Sequence, residues 1–161
     1  MITGAGVADL MRKMGISHVV TVPDGTIGRW EPDIAAAGIR IVRVCREGEA
    51  WTVAGGLYIG GAKPLVMIQC TGLFESGDAI RNTVHEWKLP LYAIIGYRSY
   101  LNQENLPGDT SLVFTEPILA AWKLDVRFIK HADELTGMVD HYRECQSAAK
   151  PGVALIAEGR S

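Results

Sequence analysis

Apolar residues along the chain switch repeatedly between a helical spacing and short, nearly unbroken runs. Val7, Leu10, Met11 and Met14 fall at i, i+3, i+4 and i+7, the stripe of an amphipathic helix, and Thr3 is placed to cap it. His18–Val22 reads as a strand stopped by Pro23, residues 27–37 as a helix closed by Gly38, and Ile39–Val44 as a second strand. A helix from Glu47 runs to Gly60-Gly61. Pro64–Gln69 is a third strand, whose apolar run implies burial on both faces. A helix over Gly72–Trp87 leads to another buried run, Leu91–Gly96. Helices near 115–123 and 132–145 bracket a strand at Val126–Ile129, and Leu135, Met138, Val139 and Tyr142 keep the helical stripe in the last of them. Val153–Ala157 is the final strand. Six strands alternating with helices specify a single α/β domain over residues 1–161, a three-layer sandwich around a mostly parallel six-stranded sheet. The one long irregular stretch, Arg98–Thr110, follows a strand's carboxyl end and reads equally as a functional loop or a surface excursion.

The stretch from Val44 to Tyr58 adds candidate chemistry to this pattern. A β-branched strand breaks at Arg46-Glu47 into a helix that carries Gly55 and Gly56. In an open parallel sheet, ligands bind in the crevice outside the carboxyl ends of the strands, and an acid in a helix's first turn faces the positive end of the dipole. Interior helical glycines cost roughly 1 kcal/mol each relative to Ala, which suggests close packing against that helix. Glu47 and Glu49 also fit a plainer role as ordinary first-turn acids.

Composition narrows the function class. The chain has 161 residues, 48% of them hydrophobic and 21% charged, and a net charge of −2, enough apolar material for a proper core. Acids and bases are interspersed, so no basic stripe for nucleic acid or polybasic patch for a membrane emerges. No run approaches the roughly 18 apolar residues of a spanning helix, and no signal-peptide pattern opens the chain, so the expected location is cytoplasmic. Cys45, Cys70 and Cys145 are too few and scattered for a zinc motif or disulfide framework. They read as reduced thiols, although Cys45 and Cys70 follow strands near the presumed active edge. His18, His85, His131 and His141 show no metal-ligand pairing and read as structural or surface residues, so no metal site is expected on this chain.

The order Val22-Pro-Asp-Gly-Thr26, Arg46-Glu-Gly-Glu-Ala50 with Ala54-Gly55-Gly56, Gln69-Cys-Thr-Gly-Leu73 and Leu89-Pro-Leu-Tyr-Ala-Ile-Ile-Gly-Tyr-Arg98 resembles the pyrimidine-binding domain of thiamine-diphosphate enzymes. Within them it is most similar to the alpha chain of sulfopyruvate decarboxylase and the matching half of phosphonopyruvate decarboxylase. The resemblance spans roughly residues 15–125. It implies that Glu47 is the glutamate that hydrogen-bonds N1′ of the aminopyrimidine and so promotes formation of the thiazolium ylid, the cofactor's reactive carbon. It further implies that Pro23, Asp24, Gly25 and Thr26 approach the thiazolium and substrate, and that Gln69, Thr71 and Gly72 border the pyrimidine, Gly72 by letting backbone come close.

These enzymes hold the diphosphate through a divalent metal on a Gly-Asp-Gly motif followed later by Asn, and this sequence contains no Gly-Asp-Gly. The resemblance therefore implies a beta subunit that carries the diphosphate domain and Mg2+, with the cofactor at the interface of a heterotetramer or larger assembly. The helices at Glu47–Tyr58 and Gly72–Trp87 are expected to face that partner through Trp51, Leu57, Phe74 and Ile80. Thr71-Gly-Leu-Phe-Glu75 and Pro107-Gly108-Asp109 stand where relatives have Ser-Gly-Leu-Gly-Asn and Pro-Gln-His. The added acids are expected to disfavour a strongly anionic substrate. The implied activity is decarboxylation of a small 2-oxo acid, active only with the partner. The alternatives are a carboligase or acyl-CoA lyase half using the same cofactor, and a non-catalytic binding or assembly module.

Overall fold

The computed structural model describes residues 2–106 and 108–159; Pro107 of the long loop lies outside the described residues. Strands β1 (His18–Thr21), β2 (Arg40–Arg43), β3 (Pro64–Gln69), β4 (Tyr92–Tyr97), β5 (Asp125–Ile129) and β6 (Gly152–Ala157) form one sheet in the order β2-β1-β3-β4-β6-β5. Every pairing is parallel. Side chains alternate between two cores, as a strand's two-residue period dictates. Val19, Leu65, Met67, Ile94 and Ile156 face one layer of helices, while Val20, Val66, Ile68, Ile95 and Leu155 face the other. β3, β4 and β6 are buried along their whole length, the signature of parallel strands covered on both sides.

The helices are α1 (Gly4–Lys13), α2 (Glu31–Ala36), α3 (Glu47–Ile59), α4 (Cys70–Glu75), α5 (Gly77–Ile80), α6 (Thr110–Ala121) and α7 (Gly137–Ser147). Thr3 caps α1 as expected, its hydroxyl accepting from the Gly6 amide at 3.2 Å.

Three elements depart from the pattern-based reading, each for a local reason. The helix over 27–37 divides into a 3-10 turn, Ile27–Trp30, and α2, because Pro32 suits only a helix's first turn. The helix placed at Gly72–Trp87 begins at Cys70 and breaks at Ser76-Gly77, where the Ser76 hydroxyl donates to the Gly72 carbonyl at 2.7 Å. It ends in a π-helical turn, Arg81–Glu86. The helix near 115–123 begins at Thr110, since the Asp109 carboxylate accepts from the Ser111 amide at 2.9 Å and caps it. The irregular stretch shrinks accordingly, and Tyr100–Asn105 within it is 3-10 helical.

Candidate active site

Parallel strands deliver their carboxyl ends to one edge, and the polar groups of the candidate site gather there. Directly after β1, the Asp24 carboxylate accepts from the Thr26 amide at 2.7 Å, the Thr26 hydroxyl at 2.8 Å and the Ile27 amide at 2.8 Å. Pro23-Asp24-Gly25-Thr26 is thus a true turn of the Asx type, and the same bonds aim Asp24 and Thr26 at the end of β3. There the buried Gln69 amide nitrogen donates to Asp24 at 3.3 Å and to the Thr26 hydroxyl.

A third strand contributes a residue that the sequence reading missed. Glu158, immediately after β6, accepts from Gln69 at 3.0 Å and lies 3.2 Å from the Thr26 hydroxyl. Its carboxyl occupies the space over Gly96 at the end of β4, where a Cβ would come within 2.9 Å of it. The available signal was an acid at the exit of the last strand facing a glycine at the exit of β4. Asp24, Thr26, Gln69, Thr71, Arg98 and Glu158 line a cavity of about 230 Å³.

The two acids of this cluster are driven apart electrostatically. Burial pushes the Glu158 carboxyl up and the Asp24 charge adds to that, against the Gln69 and Thr26 hydrogen bonds. Burial would raise Asp24 too, but the Thr26, Gln69 and Ile27 hydrogen bonds outweigh it and hold Asp24 below the usual carboxylate range. One carboxylate is kept ionised and its neighbour is made the better proton holder.

Glu47 sits one strand over, in the first turn of α3 after β2. Its side chain lies directly on Gly72, where a Cβ would fall 2.2 Å from Glu47 Cγ. Gly72 therefore does permit a close approach, and in this chain the approaching group is Glu47. The nearby acids are engaged elsewhere. Glu49 accepts from the Cys45 amide at 3.0 Å. Glu75 accepts from the Gly48 amide at 2.7 Å and from Arg46 Nε at 2.9 Å, clamping the start of α3 to α4. The Gly48 amide chiefly, and Arg46 after it, hold Glu75 below the ordinary glutamate range. Among the described residues, no group hydrogen-bonds the half-buried Glu47 carboxylate.

Of the anticipated site residues, Asp24, Thr26, Gln69 and Thr71 share the cavity, Pro23 and Gly25 complete its turn, and Glu47 and Gly72 touch each other. Other expectations need correction. Glu75 and Asp109 do not stand as free acids at the mouth, since one is ion-paired and the other caps α6. Trp51 and Ile80 are fully buried in this chain's own core and cannot face a partner, whereas Leu57 and Phe74 are half-buried. Gly55 packs against Leu89 and Thr83, while Gly56 has nothing within 4 Å. Burial pushes the Cys70 thiol up, which disfavours a thiolate there.

The chain is 24% identical over 152 residues to a sulfopyruvate decarboxylase of Methanosarcina acetivorans, covering 94% of this chain and 39% of that protein. It is 36% identical over 66 residues to a sulfopyruvate decarboxylase subunit alpha of Methanococcus maripaludis, covering 41% of this chain and 40% of that one. The matches thus span about two-fifths of each curated relative. No protein-family model matches. In fold, the chain superposes with TM-score 0.74 and 14% identity on 2-oxoglutarate:ferredoxin oxidoreductase from Magnetococcus marinus, covering 99% of this chain and 29% of that one. It superposes with TM-score 0.73 and 21% identity on benzoylformate decarboxylase from Polynucleobacter necessarius, covering 98% and 30%. The likeness to thiamine-diphosphate enzymes that the motifs carry, and among them to sulfopyruvate decarboxylase, is borne out by relatives and by fold.

Proposed function

We propose that this chain is the pyrimidine-binding half of a thiamine-diphosphate-dependent decarboxylase acting on a small 2-oxo acid, with Glu47 as the activating carboxyl. The observation that carries the reading is the contrast among Glu47 and Glu49 in the first turn of α3 and Glu75 at the end of α4, which packs against it. Glu49 and Glu75 have backbone partners, while Glu47 is held over Gly72 without one among the described residues.

The residues present fit the aminopyrimidine, which offers a basic ring nitrogen and an exocyclic amino group. Glu47 supplies a carboxyl for the ring nitrogen. The carbonyl oxygen of Gln69, buried and without a hydrogen-bond partner, supplies an acceptor of the kind an amino group needs. When bound, the cofactor supplies the electron sink at its thiazolium carbon. The chain's own part is to orient the ring, to move a proton at Glu47 Oε, and to screen the reacting centre with the Asp24 turn. Glu158 is a second proton holder at the same edge. Because Glu75 and Asp109 are engaged, they do not argue against an anionic substrate, and a sulfonated 2-oxo acid like that in the relatives' name is compatible with the cavity that Arg98 lines.

We assign the diphosphate and Mg2+ to a partner subunit, a reading supported by the subunit-alpha name of one relative. Calorimetry of the purified chain with thiamine diphosphate and magnesium should show no tight site until a diphosphate-domain subunit is added, and the complex should then decarboxylate a member of a 2-oxo acid panel. Micromolar cofactor binding by this chain alone, or a stable complex inert toward every 2-oxo acid, would overturn the reading.

A further inference from the structure

The amino edge of the sheet, remote from the strand ends that build the candidate active site, holds a different cluster. Asp125 opens β5, and His141 and Cys145 lie four apart on one face of α7. His141 Nε2 is 3.2 Å from Asp125 Oδ1 and 3.5 Å from Cys145 Sγ, and the three ligand atoms all lie within 4.8 Å of one another. We propose that Asp125, His141 and Cys145 form a divalent-metal site of the zinc type that ties α7 to the amino edge of the sheet.

The distances are compatible with coordination as well as with hydrogen bonding. With metal–nitrogen and metal–oxygen bonds near 2.0–2.1 Å and metal–sulfur near 2.3 Å, tetrahedral ligands stand roughly 3.3–3.6 Å apart. The His141–Cys145 separation of 3.5 Å falls in that range, and the His141–Asp125 separation of 3.2 Å lies just below it. The Asp125 carboxylate oxygen and Cys145 Sγ lie within 4.8 Å of each other, and the Asp125 side chain is 39% exposed, so the fourth position opens to water.

The surroundings are those of a supported site. His141 Nδ1 is 2.8 Å from the Tyr92 hydroxyl, which orients the ring; with a metal bound at Nε2 in place of the Asp125 hydrogen bond, the proton would sit on Nδ1 and donate to Tyr92. Lys150 holds the other Asp125 oxygen and orients the carboxylate. Room for the sulfur is made by Gly152, which lies between Asp125 and Tyr92 in the sheet register. A Cβ there would fall 2.6 Å from Cys145 Sγ. The same trio superficially resembles a Cys-His-Asp nucleophile set, but Cys145 is fully buried and burial pushes its thiol up to about 11. A metal would displace the thiol proton to water on binding.

The test uses the full chain stripped with chelator and titrated with Co2+, then Zn2+. Wild type should bind one Co2+ with an intense near-ultraviolet thiolate-to-metal band and tetrahedral visible bands, both abolished by stoichiometric Zn2+, and Zn2+ should raise its melting temperature. Cys45→Ser, which removes the exposed thiol, should keep the band. Cys145→Ser should lose it, and Asp125→Asn should weaken Co2+ binding at least about tenfold, by analogy with lost supporting groups. Absence of the band in folded wild type, a band that follows Cys45, or unchanged affinity in Asp125→Asn would each overturn the site and leave a hydrogen-bond chain from Tyr92 to Asp125. None of these readouts involves thiamine diphosphate or turnover.

Discussion

The two edges of the sheet are built from the same strands, yet they dispose of their polar groups in opposite ways. At the amino edge, the Tyr92 hydroxyl, His141, Asp125 and Lys150 form a continuous chain, each group with a partner in the same molecule. At the carboxyl edge, Gln69 keeps a buried carbonyl oxygen without a partner, Glu47 is unpaired among the described residues, and Glu158 is held where burial disfavours its charge. A buried polar group without a partner costs about 1–3 kcal/mol, so the Gln69 carbonyl oxygen is a cost that a ligand can recover. The start of α3, with its positive dipole end, lies at the same edge.

The largest test of that contrast is Glu47→Gln. In the complex with a diphosphate-domain subunit it should lower turnover by about 10²–10⁴-fold with an unchanged melting temperature, measured by steady-state decarboxylation and thermal denaturation. A stability loss without a rate loss would reassign Glu47 to the scaffold. Gly72→Ala should act through the same residue. Its new Cβ would meet Glu47 Cγ at 2.2 Å, so we expect most of the Glu47→Gln rate loss together with about 1–3 kcal/mol of overpacking strain in denaturant titration.

At the amino edge the effects should fall on stability alone. Tyr92→Phe leaves a His141 nitrogen buried without its partner and should cost about 1–3 kcal/mol in chelator-treated protein, with turnover of the complex unaltered. A rate loss there would erase the distinction between the edges.

Glu158 gives a smaller, pH-dependent effect. Its folded-state pKa is raised, so its contribution to stability is fully present below the ordinary glutamate value of 4.5 and is lost as pH rises through the folded value. Glu158→Gln should therefore melt increasingly higher than wild type as pH is raised from about that value to neutrality, and a gap that is constant with pH would contradict the assignment. Asp24 runs the other way: its pKa is lowered, so its contribution holds above the ordinary aspartate value of 3.8 and fades as pH falls through the folded value. The smallest effect should come from Glu49→Gln, whose amide oxygen can still accept from the Cys45 amide. Stability and turnover should both stay near wild type, within about 0.5 kcal/mol.

The sequence by itself determined the six strands, their alternation with helices and therefore a parallel sheet, because burial on both faces writes unbroken apolar runs such as Pro64–Gln69. Its local signals reached the Thr3 cap and the Asp24 turn, which depend on neighbours within a few residues. Only the tertiary structure brought Glu158 to Thr26 across 132 residues, joined Glu75 to Arg46 across 29, and enclosed Trp51 in this chain's own core. It likewise set Asp125 beside His141. The physical reason is common to all of these. Periodicity records which face of an element is buried, whereas the group met across that face depends on crossovers that place distant strand ends side by side.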